Sequence, residues 1–432
     1  MTQAAPRQFL FLQGLAGPFF RRLGDALAAR GHGVHRVNFH GGDWLFWRRP
    51  GANNYRGGPP GWPAYLEDLL ERRAVTDIVL FGDCRPLHGA ARAIAARRHV
   101  QVHVFEEGYM RPDWVTLEAG GVNGLSSLPR DPAYYLNAAR TLPPLAIPHD
   151  AIPSSFGRRA REDLAYNLTA IALRPLFPGY QSHRPWHPLV EYAGWLRRFA
   201  GKKAAARRSN AVRNRLERTG RPFMVFPLQL DCDYQIRSHS PYPGMEAAIR
   251  EVLGSFASHA PASLDLIVKG HPLDNGLHDW RVATLDIAAE LGVLDRVLFL
   301  EDGNIDLLVR AARGVVTVNS TTGTLSAARG IPTISLGRAV YDIPGVTHQD
   351  GLDAFWTRPV PPDPQVFDAL RRVLVHRCMI RGGFFSDQGL RMLLDGAVAR
   401  LEAASRPALR AVSVAAPAAR PPARPMLAAA KG

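Results

Sequence analysis

Twice along this chain, short apolar runs of strand length alternate with longer amphipathic stretches of helix length. The first series runs Gln8–Gln13, Val34–Phe39, Asp77–Phe81 and Val100–Phe105. The second runs Phe223–Leu230, Leu264–Val268, Val297–Leu300, Gly314–Val318 and Thr333–Leu336. Between them, residues 130–222 carry helical signals and an aromatic, proline-rich patch (Phe177–Trp186) but no strand signal. Alternation of this kind builds a parallel sheet covered by helices on both faces. A chain of 432 residues exceeds what one core usually supports, so each series predicts its own lobe.

The expected fold class is therefore α/β, with two Rossmann-like lobes whose parallel sheets face each other across a cleft. That architecture is known as GT-B; many glycosyltransferases and some sugar epimerases use it. The expected division is a first lobe at 1–130 and a helical connector at 131–222. A second lobe follows at 223–345, then C-terminal helices at 346–404 and a disordered Ala-, Pro- and Arg-rich tail at 405–432.

Hydrophobic residues make up 46% of the chain and charged residues 21%, an ordinary balance for a globular protein. Phe9–Leu15 reads as a first buried strand, and neither a signal-peptide layout nor a bilayer-length apolar run is present. The sequence thus predicts a cytoplasmic protein. Cys84, Cys232 and Cys378 are too widely spaced for a disulfide framework or a zinc motif, and read as reduced and structural. The formal charge of +15 is the outlier. Ten Lys or Arg stand against one acid, Glu217, between Arg197 and Arg221. Such an excess suits an anionic partner such as phospholipid, nucleic acid or a phosphorylated substrate; a solvated helix face is the plainer reading.

Chemistry concentrates where the apolar runs stop. In an open parallel sheet, ligands bind outside the carboxyl ends of the strands. The first lobe ends its strands in Asn38-Phe-His-Gly-Gly-Asp43, Gly82-Asp-Cys-Arg-Pro86 and Glu106-Glu-Gly-Tyr-Met-Arg-Pro112, with a turn at Gly41-Gly42. Glu106 and Glu107 alternate in direction, so at most one of them faces the cleft, and that one suits a general base, with Arg111 beside it. In the second lobe, Asp231 and Asp233 flank Cys232. They are open to a metal pair, to nucleophilic attack on an anomeric carbon, or to helix capping. Arg237 and His239 suit a negatively charged sugar. Lys269 and His271, stopped by Pro272, suit a nucleotide-sugar phosphate, as does the helix start at Asn319-Ser-Thr-Thr-Gly323 with Ser320 and Thr321. No Walker A loop is present.

Seven motifs in order resemble the bacterial capsule polysaccharide biosynthesis/export family of the KpsS/LipB type. They are Asn38–Trp44, Gly82–Pro86, Phe105–Pro112, Pro227–Ile236, His239–Tyr242, Lys269–Pro272 and Asn319–Gly323, and the resemblance spans about residues 8–400. It implies a retaining glycosyltransferase that moves β-Kdo, an eight-carbon acidic sugar, from CMP-Kdo to phosphatidylglycerol. No metal or other cofactor is implied. Carried over, Asp233 is the nucleophile and Glu106 or Glu107 the acid/base. Lys269, His271, Asn319, Ser320, Thr321, Arg237 and His239 hold the donor; His40, Asp43, Asp83 and Arg111 lie on the acceptor side. The implied setting is the inner face of the inner membrane, with an anionic lipid surface and other capsule assembly proteins as partners. The rivals are a non-catalytic export or assembly factor that binds the lipid-linked glycan, and a nucleotide-sugar epimerase. No nucleic-acid module is recognisable, so nucleic acid is not expected as a partner.

Overall fold

The structure, a computed structural model, describes residues 6–145, 150–182 and 184–404. The tail expected to be disordered lies outside the described residues. Among the described residues twelve strands form two sheets. They are β1 Gln8–Phe11, β2 Gly33–Asn38, β3 Ala52–Asn54, β4 Asp77–Phe81, β5 Gln101–Glu107, β6 Trp114–Ala119, β7 Phe223–Pro227, β8 Asp265–Lys269, β9 Val297–Leu300, β10 Gly314–Thr317, β11 Thr333–Ser335 and β12 Met379–Arg381.

The second sheet is wholly parallel, in the order β11-β10-β7-β8-β9. The first has the order β12-β6-β5-β4-β1-β2-β3 and is parallel from β5 to β3. In each sheet the opening strand (β1 or β7) is flanked by strands reached in opposite directions. The chain thus leaves a crevice at the carboxyl end of that strand.

Strand periodicity explains the layering. Leu10, Ile78 and Leu80 point into one core of the first lobe, and Phe9, Phe11, Val79 and Phe81 into the other. In the second lobe Met224, Phe226, Leu266 and Val268 face the helix Met245–His259, whereas Val225 and Ile267 face the opposite side. There the connector helix Pro188–Thr219 contributes Val212 and Leu216. Each fully buried side chain of this size contributes ~1.5–3 kcal/mol.

Three strands, β3, β6 and β12, lie outside the sequence reading. β6 runs antiparallel to β5, and β12 antiparallel to β6. β3 and β6 follow loops that contain Gly and Pro and so lack the helix-then-strand rhythm that marks the others, while β12 is a run of three residues that follows its helix directly. β12 also shows that the segment 346–404 is not helical throughout. It adds to the first lobe's sheet, and the helices around it cover both faces of that sheet. Phe367, Leu370 and Val373 of Pro364–Val373 enter one core, and Leu390, Leu393 and Leu401 of Asp387–Ala403 enter the other.

The expected turn at Gly41-Gly42 is instead the first turn of a helix, Gly41–Trp47. A Cβ on Gly41 would lie 2.3 Å from the Thr169 carbonyl oxygen, and one on Gly42 2.6 Å from that of Tyr166. These glycines let two helix backbones touch; they do not reverse the chain.

Leu393 is fully buried between the C-terminal helix and the first sheet. Leu393→Ala should therefore destabilise the first lobe by ~2–5 kcal/mol. Urea denaturation followed by tryptophan fluorescence checks this, and an unchanged midpoint would show that the helix adds no stability to the sheet.

Candidate active site

The carboxyl ends of β5 and β7 bring Glu106, Glu107 and Asp233 into electrostatic reach of one another, and His271, after β8, reaches Glu107. Asp233 begins the short helix Tyr234–Arg237, and its Oδ1 accepts from the Gln235 amide at 3.1 Å. Asp231 caps the next helix instead, accepting from the Met245 amide at 2.7 Å. Both aspartates cap, but only Asp233 meets the glutamates of the other lobe.

The two glutamates differ sharply. Burial pushes Glu106 up to about 8; Asp233 and Glu107 push the same way, while the Glu107 amide and Arg85 only partly offset them. Burial would raise Glu107 too. Arg111 at 2.6 Å and Arg159 at 3.1 Å outweigh it and hold this carboxyl below its usual range. Near neutral pH Glu106 keeps its proton and Glu107 is a paired carboxylate. Asp233 is raised by burial and by Glu107, partly offset by the Gln235 amide and Arg111. Although strand alternation predicts that only one glutamate faces the cleft, both sense Asp233, because they occupy the last two positions of β5.

His271 lies across the cleft from Glu107. Burial, then Arg111, Lys269 and Arg198, push its pKa down to about 4. The Leu273 amide donates to Nδ1 at 3.1 Å, so the neutral ring carries its proton on Nε2, as a hydrogen-bond donor. Lys269 is buried, and its ammonium donates to the Gly270 carbonyl at 2.9 Å. Arg198, from the connector helix, donates to the carbonyls of His271 and Asp274 and so fixes this loop.

Several expected ligand contacts have other duties. Asn319 is buried, and both ends of its amide are in use: Oδ1 accepts from Gln229 at 2.8 Å, and Nδ2 donates to the carbonyls of Gln235 at 2.7 Å and His239 at 3.2 Å. Ser320 Oγ accepts from the Thr322 amide at 3.1 Å, and Thr321 begins the helix Thr322–Ala328 without a side-chain cap. Arg237 lies over the Tyr234 ring at 5.4 Å. His239 is buried, with Nε2 3.3 Å from Cys84 Sγ.

On the other side, His40 and Asp43 are sealed inside the first lobe. Tyr166 and Tyr180 cover the His40 ring at 4.8 and 4.6 Å. Asp43 takes Arg36 at 3.2 Å, the Tyr166 hydroxyl at 3.0 Å and the Phe39 amide at 3.0 Å. Burial would raise Asp43; His40, Arg36 and these donors together hold it low. Asp83 is also buried and accepts from the Val122 amide at 2.8 Å. Of the four acceptor-side candidates, only Arg111 stands at the carboxyl cluster.

Residues 76–385 match the family described as "Capsule polysaccharide biosynthesis protein". This chain belongs to that family. Over 381 residues it is 34% identical to the capsule polysaccharide export protein KpsS of Escherichia coli, covering 88% of this chain and 97% of that one. Over 386 residues it is 34% identical to the capsule polysaccharide modification protein LipB of Neisseria meningitidis serogroup A, covering 87% and 91%. Among solved structures it resembles a Thermosulfurimonas dismutans KpsC, beta Kdo 2,7 transferase. The TM-score is 0.44 at 14% identity, covering 91% of this chain and 100% of that one.

In this site, Arg159, Arg198 and Gln229 escaped sequence reading. Arg159 and Arg198 come from connector helices, where nothing in the local pattern sets them apart from other surface arginines. Gln229 lies inside a quoted motif, yet only the fold shows that it pairs with Asn319.

A carboxyl with a raised folded pKa makes stability fall as pH rises. The unfolded group releases its proton near 4.5 and the folded one near 8, so the loss accumulates between those values. Glu106→Gln should therefore melt several degrees above wild type at pH 8, with a smaller gap at pH 5.5. A gap that does not widen with pH would mean that Glu106 is ionised.

Proposed function

We propose that this protein is a retaining glycosyltransferase that moves β-Kdo from CMP-Kdo to phosphatidylglycerol, starting the lipid linker of a capsule polysaccharide. The observation that carries the reading is the meeting of Glu106, Glu107 and Asp233 between the two lobes, where Arg111 and Arg159 pair with Glu107 and leave Glu106 buried beside Asp233. Carboxyl groups whose environments drive their pKa values apart can take separate acid and nucleophile roles. In the first step an Asp233 carboxylate oxygen bonds to the anomeric carbon as the bond from that carbon to the CMP phosphate oxygen breaks. Glu106 gives its proton to the departing phosphate, and the Nε2–H of His271 hydrogen-bonds to it. In the second step Glu106 takes the proton of the acceptor hydroxyl, whose oxygen displaces Asp233 from the anomeric carbon. Two inversions give retention. Arg111 and Lys269 supply positive charge suited to an acidic sugar and a phosphate.

The lipid acceptor calls for a surface that meets a membrane, and the connector helix supports one. Arg198, Arg208 and Arg215 fasten it to the second lobe. Its outer face carries Leu189, Leu196 (71% exposed) and Phe199, followed at helical spacing by exposed Lys203 and Arg207, with Arg197 and Lys202 alongside. Apolar side chains for the acyl boundary and cations for anionic head groups share one stripe. Among the described residues no helix is long and apolar enough to cross a membrane. The attachment proposed is peripheral, on the inner face of the inner membrane, where other capsule assembly proteins would also meet it.

Purified protein given CMP-Kdo and a short-chain phosphatidylglycerol should release CMP and form a β-linked glycolipid. Asp233→Asn should lower this rate by at least ~10³-fold while still binding CMP, and His271→Ala should mainly raise the KM for donor. Wild-type protein that binds CMP but yields no glycolipid would favour the rival reading, a non-catalytic export or assembly factor. Rapid turnover by Asp233→Asn would remove Asp233 as nucleophile.

Each basic residue close to an anionic surface contributes ~1 kcal/mol to attachment. Reversing Arg197, Lys202, Lys203 and Arg207 to Glu should therefore weaken vesicle binding by more than ~100-fold and spare turnover of a soluble acceptor. Undiminished flotation with phosphatidylglycerol-containing vesicles would discard this face.

A further inference from the structure

Beside the carboxyl cluster, Asp83, Cys84 and His239 meet where the lobes touch. Asp83 and Cys84 follow β4 in the first lobe; His239 follows the Tyr234–Arg237 helix in the second. Cys84 Sγ lies 3.3 Å from Asp83 Oδ1 and 3.3 Å from His239 Nε2, and the three donor atoms are all within 4.8 Å of one another. Around a tetrahedral zinc ion, with Zn–S of about 2.3 Å and Zn–N of about 2.0 Å, neighbouring ligand atoms stand about 3.5 Å apart. The observed spacing is close to that.

We propose that this trio is a binding site for a zinc-class divalent cation that staples the two lobes together beside the active cleft. The donor set decides the class. Thiolate, imidazole and carboxylate together suit a borderline-soft ion such as Zn²⁺, whereas Mg²⁺ and Ca²⁺ prefer oxygen throughout. Binding releases the thiol proton to solvent and forms the metal–sulfur bond. Thiolate and carboxylate then balance the two positive charges, so the occupied site is neutral where the empty one carries the single negative charge of Asp83. Three protein donors leave a fourth position for water.

The surroundings hold the donors in place. Asp83 Oδ2 accepts from the Val122 amide at 2.8 Å, which leaves Oδ1 for the cation. The His239 carbonyl accepts from the Arg338 amide at 2.7 Å and from Asn319 Nδ2 at 3.2 Å, so the backbone behind the ring is fixed. Gly124 of the first lobe packs directly against that ring, where a Cβ would come within 2.6 Å of His239 Nδ1. A residue without a side chain is what lets the second lobe's imidazole reach the first lobe's thiol.

The test uses untagged full-length protein, kept reduced with a phosphine and stripped by dialysis against a chelator. Titration with CoCl₂ should give one equivalent bound, with a thiolate-to-cobalt charge-transfer band and the intense visible bands of four-coordinate cobalt. Zinc should displace it and slow hydrogen exchange in both the 121–125 and 238–240 segments. Cys84→Ser and His239→Gln should lose the charge-transfer band and weaken zinc binding by more than ~100-fold, beyond what an outer-shell change costs. Cys378→Ser, which alters a thiol buried elsewhere, should keep both. A wild-type protein without the thiolate band overturns the proposal whatever the variants do. So does a band that persists in Cys84→Ser, and in either case the Cys84–His239 contact is a plain thiol–imidazole hydrogen bond.

Discussion

The buried amide pair Gln229–Asn319 governs the second lobe's half of the cleft. Each side chain answers the other: Gln229 Nε2 donates to Asn319 Oδ1, and the Asn319 backbone amide donates to Gln229 Oε1. The pair ties the segment after β7 to the end of β10. Asn319 then passes the restraint on through its bonds to the Gln235 and His239 carbonyls. Asp233, Arg237 and His239 all lie on the loop so held. Removing either amide would leave buried polar groups unpaired, at ~1–3 kcal/mol each, and would also free the loop that aims Asp233. A residue quoted as a donor contact therefore does its work at one remove, by setting the position of the carboxyl that faces Glu106.

That positioning matters because the cleft collects acids faster than it neutralises them. Arg111 and Arg159 both serve Glu107, and Arg85, the cation that acts on Glu106, also donates to the Gly14 carbonyl at 3.0 Å. The carboxyl with the least compensation keeps its proton, which is the cheapest way to bury it. Protonation of Glu106 also leaves Asp233 facing one charged neighbour where it would otherwise face two. The arrangement costs stability at neutral pH and gains a proton donor there. Stability and chemistry are drawn from the same few side chains.

Strand ends were legible in the sequence because a buried parallel strand must be apolar along its length and must stop at a polar loop. Asp77–Phe81 and Val297–Leu300 are read to the residue, and the clusters that follow the strands fall where expected. What each polar side chain does there was not legible. Asp231 and Asp233 are two residues apart and chemically alike; only the position of Met245 makes one a cap for the longer helix. His40 and Asp43 look like cleft residues until Tyr166 and Tyr180, more than a hundred positions away, close over them. β12 pairs with β6 across more than two hundred and fifty residues, and no local pattern announces such a partner. The limit is one of range: periodicity reports the environment of a residue's own segment, whereas the site is built from contacts between segments.

The connector helix shows how far such contacts carry. Its 32 residues make a rod of about 48 Å at 1.5 Å per residue. Arg198 grips the His271 loop from that rod, while its neighbours Arg197 and Phe199 point outward on the exposed side. Adjacent residues on a helix are turned by about 100° from one another, so one short stretch can serve two surfaces. On the reading proposed above, the face that rests on lipid and the loop that holds the donor phosphate are fixed to the same rigid element. Their separation is then set by helix geometry, and a lipid head group entering from the membrane meets the donor at a distance that side-chain motion does not change.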